Sequence, residues 1–345
     1  MSGDDAGSGT RGPFARVARV GVVLLAAVAV AAVAAWCVLA IYFSDLPGRG
    51  VRLGAATAFG VATLALFLVV RNRRLALAGF GAGFLGVRLG WNAIPASNDR
   101  DWRPEVGVLP VVEFGEDGRH VTVRGVRDFE YRTADDFTPR YDTRTYDLDG
   151  LRTMDLVLSD WGIGDVVHTM LSFGFEGDDY LAVSVETRLE RGEPQSGLRG
   201  LFKQYELIYV LADERDLLRL RTDFRGEDVY VYPTTVTPAE ARVVLTDILE
   251  TAGALPAAPR FYNTITHNCT TSMLPHLKKA RWIDTCDIRF LLNGQTVERA
   301  YSRGTIRTDV SLEETRRRFH VNRYLREPYD VAEYSLLIRP SRRER

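Results

Sequence analysis

The chain has 345 residues, with 44 Lys and Arg against 45 Asp and Glu and a formal net charge of −1. So even a balance excludes a basic nucleic-acid-binding footprint for the chain as a whole, and 3 cysteines are too few for a disulfide framework. The average conceals an asymmetry: residues 17–91 are almost free of acids and rich in Ala, Val, Leu and Gly, whereas the rest has the mixed charge of a globular domain.

Residues 1–16 read as a cytoplasmic N-terminal tail carrying Arg11 and Arg16. From Val17 to Phe43 no charge follows Arg19, and the run exceeds the roughly 20 residues that cross a bilayer. A cleaved signal peptide is the alternative, because basic residues precede the run. The run is longer than a signal core, however, and more apolar segments follow. Val51–Val70 is a second span, and Leu75–Trp91 is a third, shorter and Gly-rich, with Arg88 near its end. Arg11, Arg16 and Arg19 before the first span, and Arg71, Arg73 and Arg74 before the third, mark the cytoplasmic side. Three transmembrane helices within 17–91 deliver everything after Trp91 to the extracytoplasmic side; without the third, the domain stays in the cytoplasm. The expected location is the inner (cytoplasmic) membrane, multi-pass, with the C-terminal domain outside. Cys37 lies in the first run and reads as a small packing residue.

A linker, 92–104, leads to a soluble domain over 105–330, and 331–345 reads as a C-terminal tail whose Arg-rich end, Arg339–Arg345, frays. Val106–Phe114 and His120–Val126 are predicted strands split by the turn Gly115–Gly118. Phe129–Tyr146 has turn signals and little periodicity, and reads as an ordered irregular segment. Met154–Leu158 is a short strand. Asp165–Phe175 alternates, with Val167, Thr169, Leu171, Phe173 and Phe175 on one face and His168 on the smaller, more polar one. Tyr180–Thr187 is its hairpin partner. A three-residue loop, Glu176–Asp178, sets Glu186 opposite His168 on one face; a loop one residue longer would put them on opposite faces. A carboxylate there fixes the imidazole tautomer and raises its basicity. Otherwise His168 is a half-buried strand histidine, and Glu186 a solvated carboxylate or a partner for Arg188. Leu201–Ala212, Leu217–Thr222 and Asp228–Tyr232 are further predicted strands. Thr237-Pro238-Ala239-Glu240 is a capping box opening a helix to about Thr251. Cys286–Leu292 and Gln295–Tyr301 read as helical, and Leu312–Phe319 as a short basic helix capped by Ser311.

The chemistry centres on Tyr262-Asn263-Thr264-Ile265-Thr266-His267-Asn268-Cys269-Thr270-Thr271-Ser272, a polar loop running into a helix. Asn268 or Thr266 caps it, and a thiol at a helix start feels the positive end of the macrodipole, which favours the thiolate. Pro275 shortens or kinks this helix. Cys269 is either a nucleophile or a structural cysteine, buried or bridged to Cys286. Its candidate bases are His168, His267 and His276. His267 is too near in sequence to face the thiol across a site, and His276 lies about two turns along the helix, which leaves His168. A metal site of His267, Cys269 and His276 fits no zinc spacing, and there is neither a phosphate loop nor a Gly-x-Ser-x-Gly elbow. No metal and no cofactor is expected.

Several stretches together resemble one family: Asn98-Asp99-Arg100-Asp101-Trp102, Phe129-Glu130-Tyr131-Arg132, Tyr146-Asp147-Leu148 and His168-Thr169-Met170-Leu171-Ser172-Phe173. Gln204-Tyr205-Glu206-Leu207-Ile208-Tyr209-Val210, Tyr262-Asn263-Thr264 and Asn268-Cys269-Thr270-Thr271 continue the pattern. From Asn98 to about Asn322 the chain resembles the bacterial Lnb N-terminal periplasmic domain family. The resemblance implies an α+β papain-like domain, circularly permuted and NlpC-type, with His before Cys, here preceded by a transmembrane region. It implies a Cys–His site at Cys269 and His168. It also implies action on lipoproteins, in which a fatty acyl chain moves from the lipid glycerol to the N-terminal amine. Glu186 as the third group rests on the hairpin register alone.

The leading expectation is a membrane-anchored thiol acyltransferase acting on membrane lipid or lipoprotein acyl groups, with catalytic Cys269, His168 and Glu186 (or Ser184 orienting the ring). An envelope peptidase or amidase using the same pair is the alternative, and a non-enzymatic envelope module the second. No nucleic-acid partner is expected, and no oligomeric state follows from the sequence.

Overall fold

The computed structural model describes residues 13–162, 167–280, 296–325 and 328–339. The predicted helix Cys286–Leu292, and with it Cys286 itself, lies outside them. The chain divides into two compact units, Met1–Pro95 and Ala96–Arg345.

The first unit is helical: α1 (Pro13–Tyr42), α2 (Arg49–Val69) and α3 (Arg73–Ala93). Two stretches, Val20–Tyr42 and Arg49–Val69, are long and apolar enough to cross a membrane. The third expected span is a helix of similar length, but Arg73, Arg74, Arg88 and its glycines leave it less apolar. Asn72 caps α3 by accepting from the Arg74 and Leu75 N–H groups. Aromatic contacts join the helices, with Trp36 edge-on to Phe84 and Trp91. Val17, Leu24, Leu25, Leu64, Leu68 and Val69 all point outward. A helix apolar on its outer face is stable only where that face is covered or lipid-bathed.

The second unit is built on a sheet in the order β1 (Val111–Phe114), β2 (His120–Arg127), β9 (Glu206–Ala212), β8 (Tyr180–Arg188), β7 (Val167–Phe175), β6 (Leu151–Asp160) and β10 (Asp228–Pro233), with β5 (Tyr141–Asp147) also paired to β2. All its ladders are antiparallel except a single parallel pair, Arg127↔Ala212, between β2 and β9. A separate small hairpin joins β3 (Glu130–Tyr131) to β4 (Phe137–Thr138). The helices of this unit are α4 (Glu214–Leu217), α5 (Pro238–Ala254), α6 (Cys269–Ala280), α7 (Thr296–Ser302), α8 (Leu312–Phe319) and α9 (Tyr334–Leu337). The result is a mixed α/β domain.

Two cores cover the two faces of the sheet. On one, Leu171, Phe173, Leu181, Val183 and Tyr209 pack against Val244, Leu245, Ile248 and Leu249 of α5 and Met273 of α6. On the other, Met170, Ala182, Ile208 and Val210 pack against Leu217, Leu218, Tyr334 and Ile338. The more polar face of β7 is therefore covered as fully as the apolar one. The capping box at Thr237 and Glu240 is present, and Ser311 caps α8 by accepting from the Glu314 N–H.

Four expectations are corrected. The strand predicted from Val106 begins only at Val111, because Pro104–Val106 forms a 3-10 turn. Phe129–Tyr146 is not irregular: it holds β3, β4 and most of β5, and Phe129 stacks on Phe137 beneath the small hairpin. Leu217–Thr222 is helical rather than a strand, ending α4 and entering a wide π turn over Leu220–Phe224. Asp213 caps that helix, and Leu217, Leu218 and Leu220 all turn inward. The C-terminal stretch does not fray at Arg339, which is buried and bonded to Asp155, Glu214 and Ser172.

Candidate functional site: a Cys–His cavity

The site is set by the way two neighbouring strands part. The β7–β8 hairpin turns through Glu176–Asp178, with the Phe175 N–H donating to the Asp179 carbonyl at 2.8 Å. Gly177 and Asp178 supply the positive φ that a tight turn requires. The ladder runs from Gly174↔Tyr180 to Met170↔Ser184 and ends there. β7 stays paired with β6 as far as Val167, and β8 stays paired with β9 as far as Arg188. A fork opens between them, with His168 on one prong and Glu186 on the other, in the register expected from the loop.

α6 enters at this fork. Asn268 caps it, its Oδ1 accepting from the N–H groups of Thr270 (2.9 Å) and Thr271 (2.8 Å). Its own amide donates to the Thr264 carbonyl at 2.9 Å. The preceding loop closes on itself, since Asn263 N donates to the His267 carbonyl and His267 N to the Asn263 carbonyl. Thr270 and Thr169 share a hydroxyl–hydroxyl bond of 2.9 Å that ties the helix start to β7. Cys269 is thereby buried, with the Thr169 N–H directed at its sulfur. Pro275 does not end the helix, which continues to Ala280. A proline there removes one donor, and the buried Met273, Leu274 and His276 hold the turn against the core.

Cys269, His168 and Glu186 line one cavity of about 820 Å³, together with Trp161, Arg221 and Tyr262. His168 Nε2 lies 2.7 Å from Ser184 Oγ, and Ser184 Oγ donates to Glu186 Oε1 at 2.9 Å. His168 Nε2 is itself 3.7 Å from Glu186 Oε1. These bonds fix the tautomer. An ionised carboxylate only accepts, so the Ser184 proton goes to Glu186 and the Ser184 oxygen accepts from His168 Nε2–H. Nδ1 then carries the lone pair. The Trp161 ring stacks on the imidazole with centroids 6.2 Å apart and planes within 12°.

The electrostatics follow from burial. Burial pushes His168 down to about 3, and the Arg221 and Arg225 charges reinforce it against Glu186. Burial works to raise Glu186, but Arg221, which bonds it at 3.0 Å, together with His168 and Arg127, holds it well below the usual carboxylate range. Glu186 is part-buried and bonded to Ser184 and Arg221 rather than paired with Arg188, whose guanidinium goes to the carbonyls of Val106 and Gly107 and to Asn98. Burial also raises the Cys269 thiol, an effect only partly offset by the Thr169 and Thr270 N–H groups. The expectation that the helix start favours the thiolate is corrected: desolvation of the charged sulfur is the largest influence on this buried thiol, and it favours the neutral form. At neutral pH the site holds a neutral thiol and a neutral imidazole.

The other histidines stand apart. His267 is exposed and bonded to Thr266. His276 is buried, with Nδ1 2.6 Å from Asp247 and Nε2 2.9 Å from the Tyr209 hydroxyl, and it fastens α6 to α5 and β9. Among the described residues, no three His, Cys, Asp or Glu side chains converge as metal ligands. Sequence reasoning missed Arg221, which was read as part of a strand, and Trp161, a lone aromatic with no periodic context.

The fold and the site define a mixed α/β domain with a cysteine at a capped helix start beside a His–Ser–Glu relay. Residues 137–294 match the family model described as the Lnb N-terminal periplasmic domain, the family that the chain's motifs resemble. The matched range contains His168, Glu186 and Cys269. No curated protein and no solved structure matches the chain.

Proposed function

We propose that this chain is a membrane-anchored, extracytoplasmic Cys–His thiol enzyme. It takes an acyl group from a lipid or lipoprotein ester onto Cys269 and passes it to an acceptor amine. His168 accepts the thiol proton, and Glu186 orients the ring through Ser184. The observation that carries the reading is the shared cavity, with Cys269 on one wall and a fully oriented imidazole on another. A neutral imidazole is the form that can act as a base. A helix start packed on an antiparallel sheet, with the histidine earlier in the chain than the cysteine, is also the order a permuted papain-like domain would have.

The membrane reading rests on parity. Basic residues at the N-terminal end of α1 (Arg11, Arg16 and Arg19) and at the α2–α3 junction (Arg71, Arg73 and Arg74) assign both ends to the cytoplasm. A periplasmic domain then needs an odd number of crossings, so α3 crosses as well. Arg88, bonded to Asn92 at 2.6 Å, lies one to two turns from the end of that helix, where a long side chain can snorkel. This makes the protein a multi-pass component of the inner membrane.

The charged side chains on the cavity wall, Arg103, Glu105, Arg127, Arg221 and Arg225, favour a second reading. The same pair would hydrolyse a polar envelope peptide or amide, with water in place of the amine. Both readings share the thioester. Incubation of the detergent-solubilised full-length protein with p-nitrophenyl octanoate, followed by intact-mass and peptide mass spectrometry, tests them together. An octanoyl adduct on Cys269 is expected, absent in Cys269→Ala and formed at least about 100-fold more slowly in His168→Ala. An unmodified Cys269 would refute both readings.

A further inference from the structure

An acyl transfer through Cys269 develops negative charge on the former carbonyl oxygen, and that oxygen needs donors. The first turn of a helix usually offers its free N–H groups. Here the cap takes two of them, because the N–H groups of Thr270 and Thr271 both bond to Asn268 Oδ1. With those two engaged, a side-chain donor from another element is the one to look for.

We infer that the phenolic hydroxyl of Tyr262 supplies it, and that Tyr262 is a catalytic residue for the reaction proposed above, on which this inference rests. Backbone geometry brings it there. The reciprocal Asn263–His267 pairing closes the intervening loop, which makes Tyr262 and Asn268 the two ends that meet. The Tyr262 N–H is fixed to the Tyr205 carbonyl at 2.9 Å, and its ring packs against the main core. A Cβ at Gly200 would come within 2.3 Å of Thr264 Oγ1 and 3.5 Å of the Tyr262 ring, so a side chain there would displace the Thr264 hydroxyl beside that ring. Tyr262 lines the same cavity as Cys269, His168 and Glu186. Burial raises its hydroxyl, and the Glu186 charge raises it further, as does Cys269 when ionised. The group is therefore a donor throughout the physiological range. Among the described residues its hydroxyl has no hydrogen-bond partner.

The step balances. Cys269 Sγ bonds to the ester carbonyl carbon as its proton passes to His168, and the carbonyl π pair moves onto oxygen. Tyr262 O–H donates to that oxygen without losing its proton. Collapse reforms the carbonyl, breaks the bond to the alkoxide, and returns the His168 proton to the leaving alcohol. The Cys269 thioester remains for the amine or water.

Tyr262→Phe keeps the ring and removes only the donor. Two rates separate its role from a structural one: acylation of Cys269 by p-nitrophenyl octanoate, which forms an oxyanion, and alkylation of Cys269 by iodoacetamide, which forms none. Acylation is expected to fall about 100-fold, with the alkylation rate and its pH profile unchanged. An unchanged acylation rate overturns the inference. So does a shifted alkylation profile, since the phenol would then be acting on the thiol. Wild-type protein that is not acylated at Cys269 overturns the underlying reading as well, and acylated wild type beside an unaffected variant overturns this inference alone.

Discussion

The same face of β7 carries two buried polar clusters, one at each end, and they differ in one respect. At the hairpin end Ser172, Asp155 and Glu214 receive Arg339: its Nε bonds Asp155 at 2.9 Å, both Nη atoms bond Glu214, and its guanidinium lies 3.8 Å from the Tyr180 ring centroid. Every guanidinium nitrogen has a partner, and α9 closes the cluster from outside. At the forked end His168, Ser184, Glu186 and Arg221 form a comparable network, but it opens into a cavity, and Arg221 Nε is buried without a hydrogen bond. The Met170 and Ala182 side chains of the second core occupy the stretch between. A closed polar network holds elements together, whereas an open one leaves a group able to accept a proton.

The largest expected effect comes from the closed end. Arg339→Met leaves Asp155 and Glu214 buried without their cation and should cost about 3–5 kcal/mol. His168→Ala removes an uncharged ring at the open end and should cost much less. Urea unfolding followed by circular dichroism measures both, and equal losses would erase the distinction.

A pH dependence sharpens it. His168 is held at about 3 against an ordinary 6.5, and burial lowers His276 in the same direction. As pH falls through 6.5 the unfolded chain takes up these protons first, so stability drains between 6.5 and about 3. Above that window the two histidines contribute no slope. Unfolding midpoints at pH 7 and pH 4.5 should differ by less in His168→Gln than in the wild type. The smallest effect is local: Asn268→Ala removes the α6 cap and should cost about 1 kcal/mol, visible as a small drop in the same unfolding midpoint.

The open end was largely legible in the sequence and the closed end was not. His168 and Glu186 could be paired from strand alternation and one loop length, both local signals, and Asn268 from its place before a helix. Arg339 could not be read, because its partners at Asp155 and Glu214 are remote in sequence and an Arg-rich terminus resembles a solvated tail. Arg221 was hidden for a related reason. Leu218 and Leu220 alternate like a strand, and only the Asp213 cap and packing on the second core turn the segment into helix. The thiol was misjudged on magnitude: the helix start was visible, but the depth of burial that overrides it arises only when α6 docks in the fork.

The central claim is that a neutral His168 takes the proton from a neutral Cys269, and the pH–rate profile of Cys269 acylation tests it most directly. Single-turnover acylation by p-nitrophenyl octanoate, followed by mass spectrometry from pH 4.5 to 8 in wild type and His168→Ala, is the measurement. With His168 held at about 3, the wild-type rate should stay flat across this range and the variant should be slow throughout. A wild-type rate that collapses with a midpoint near 6.5, or a variant as fast as the wild type, would contradict it.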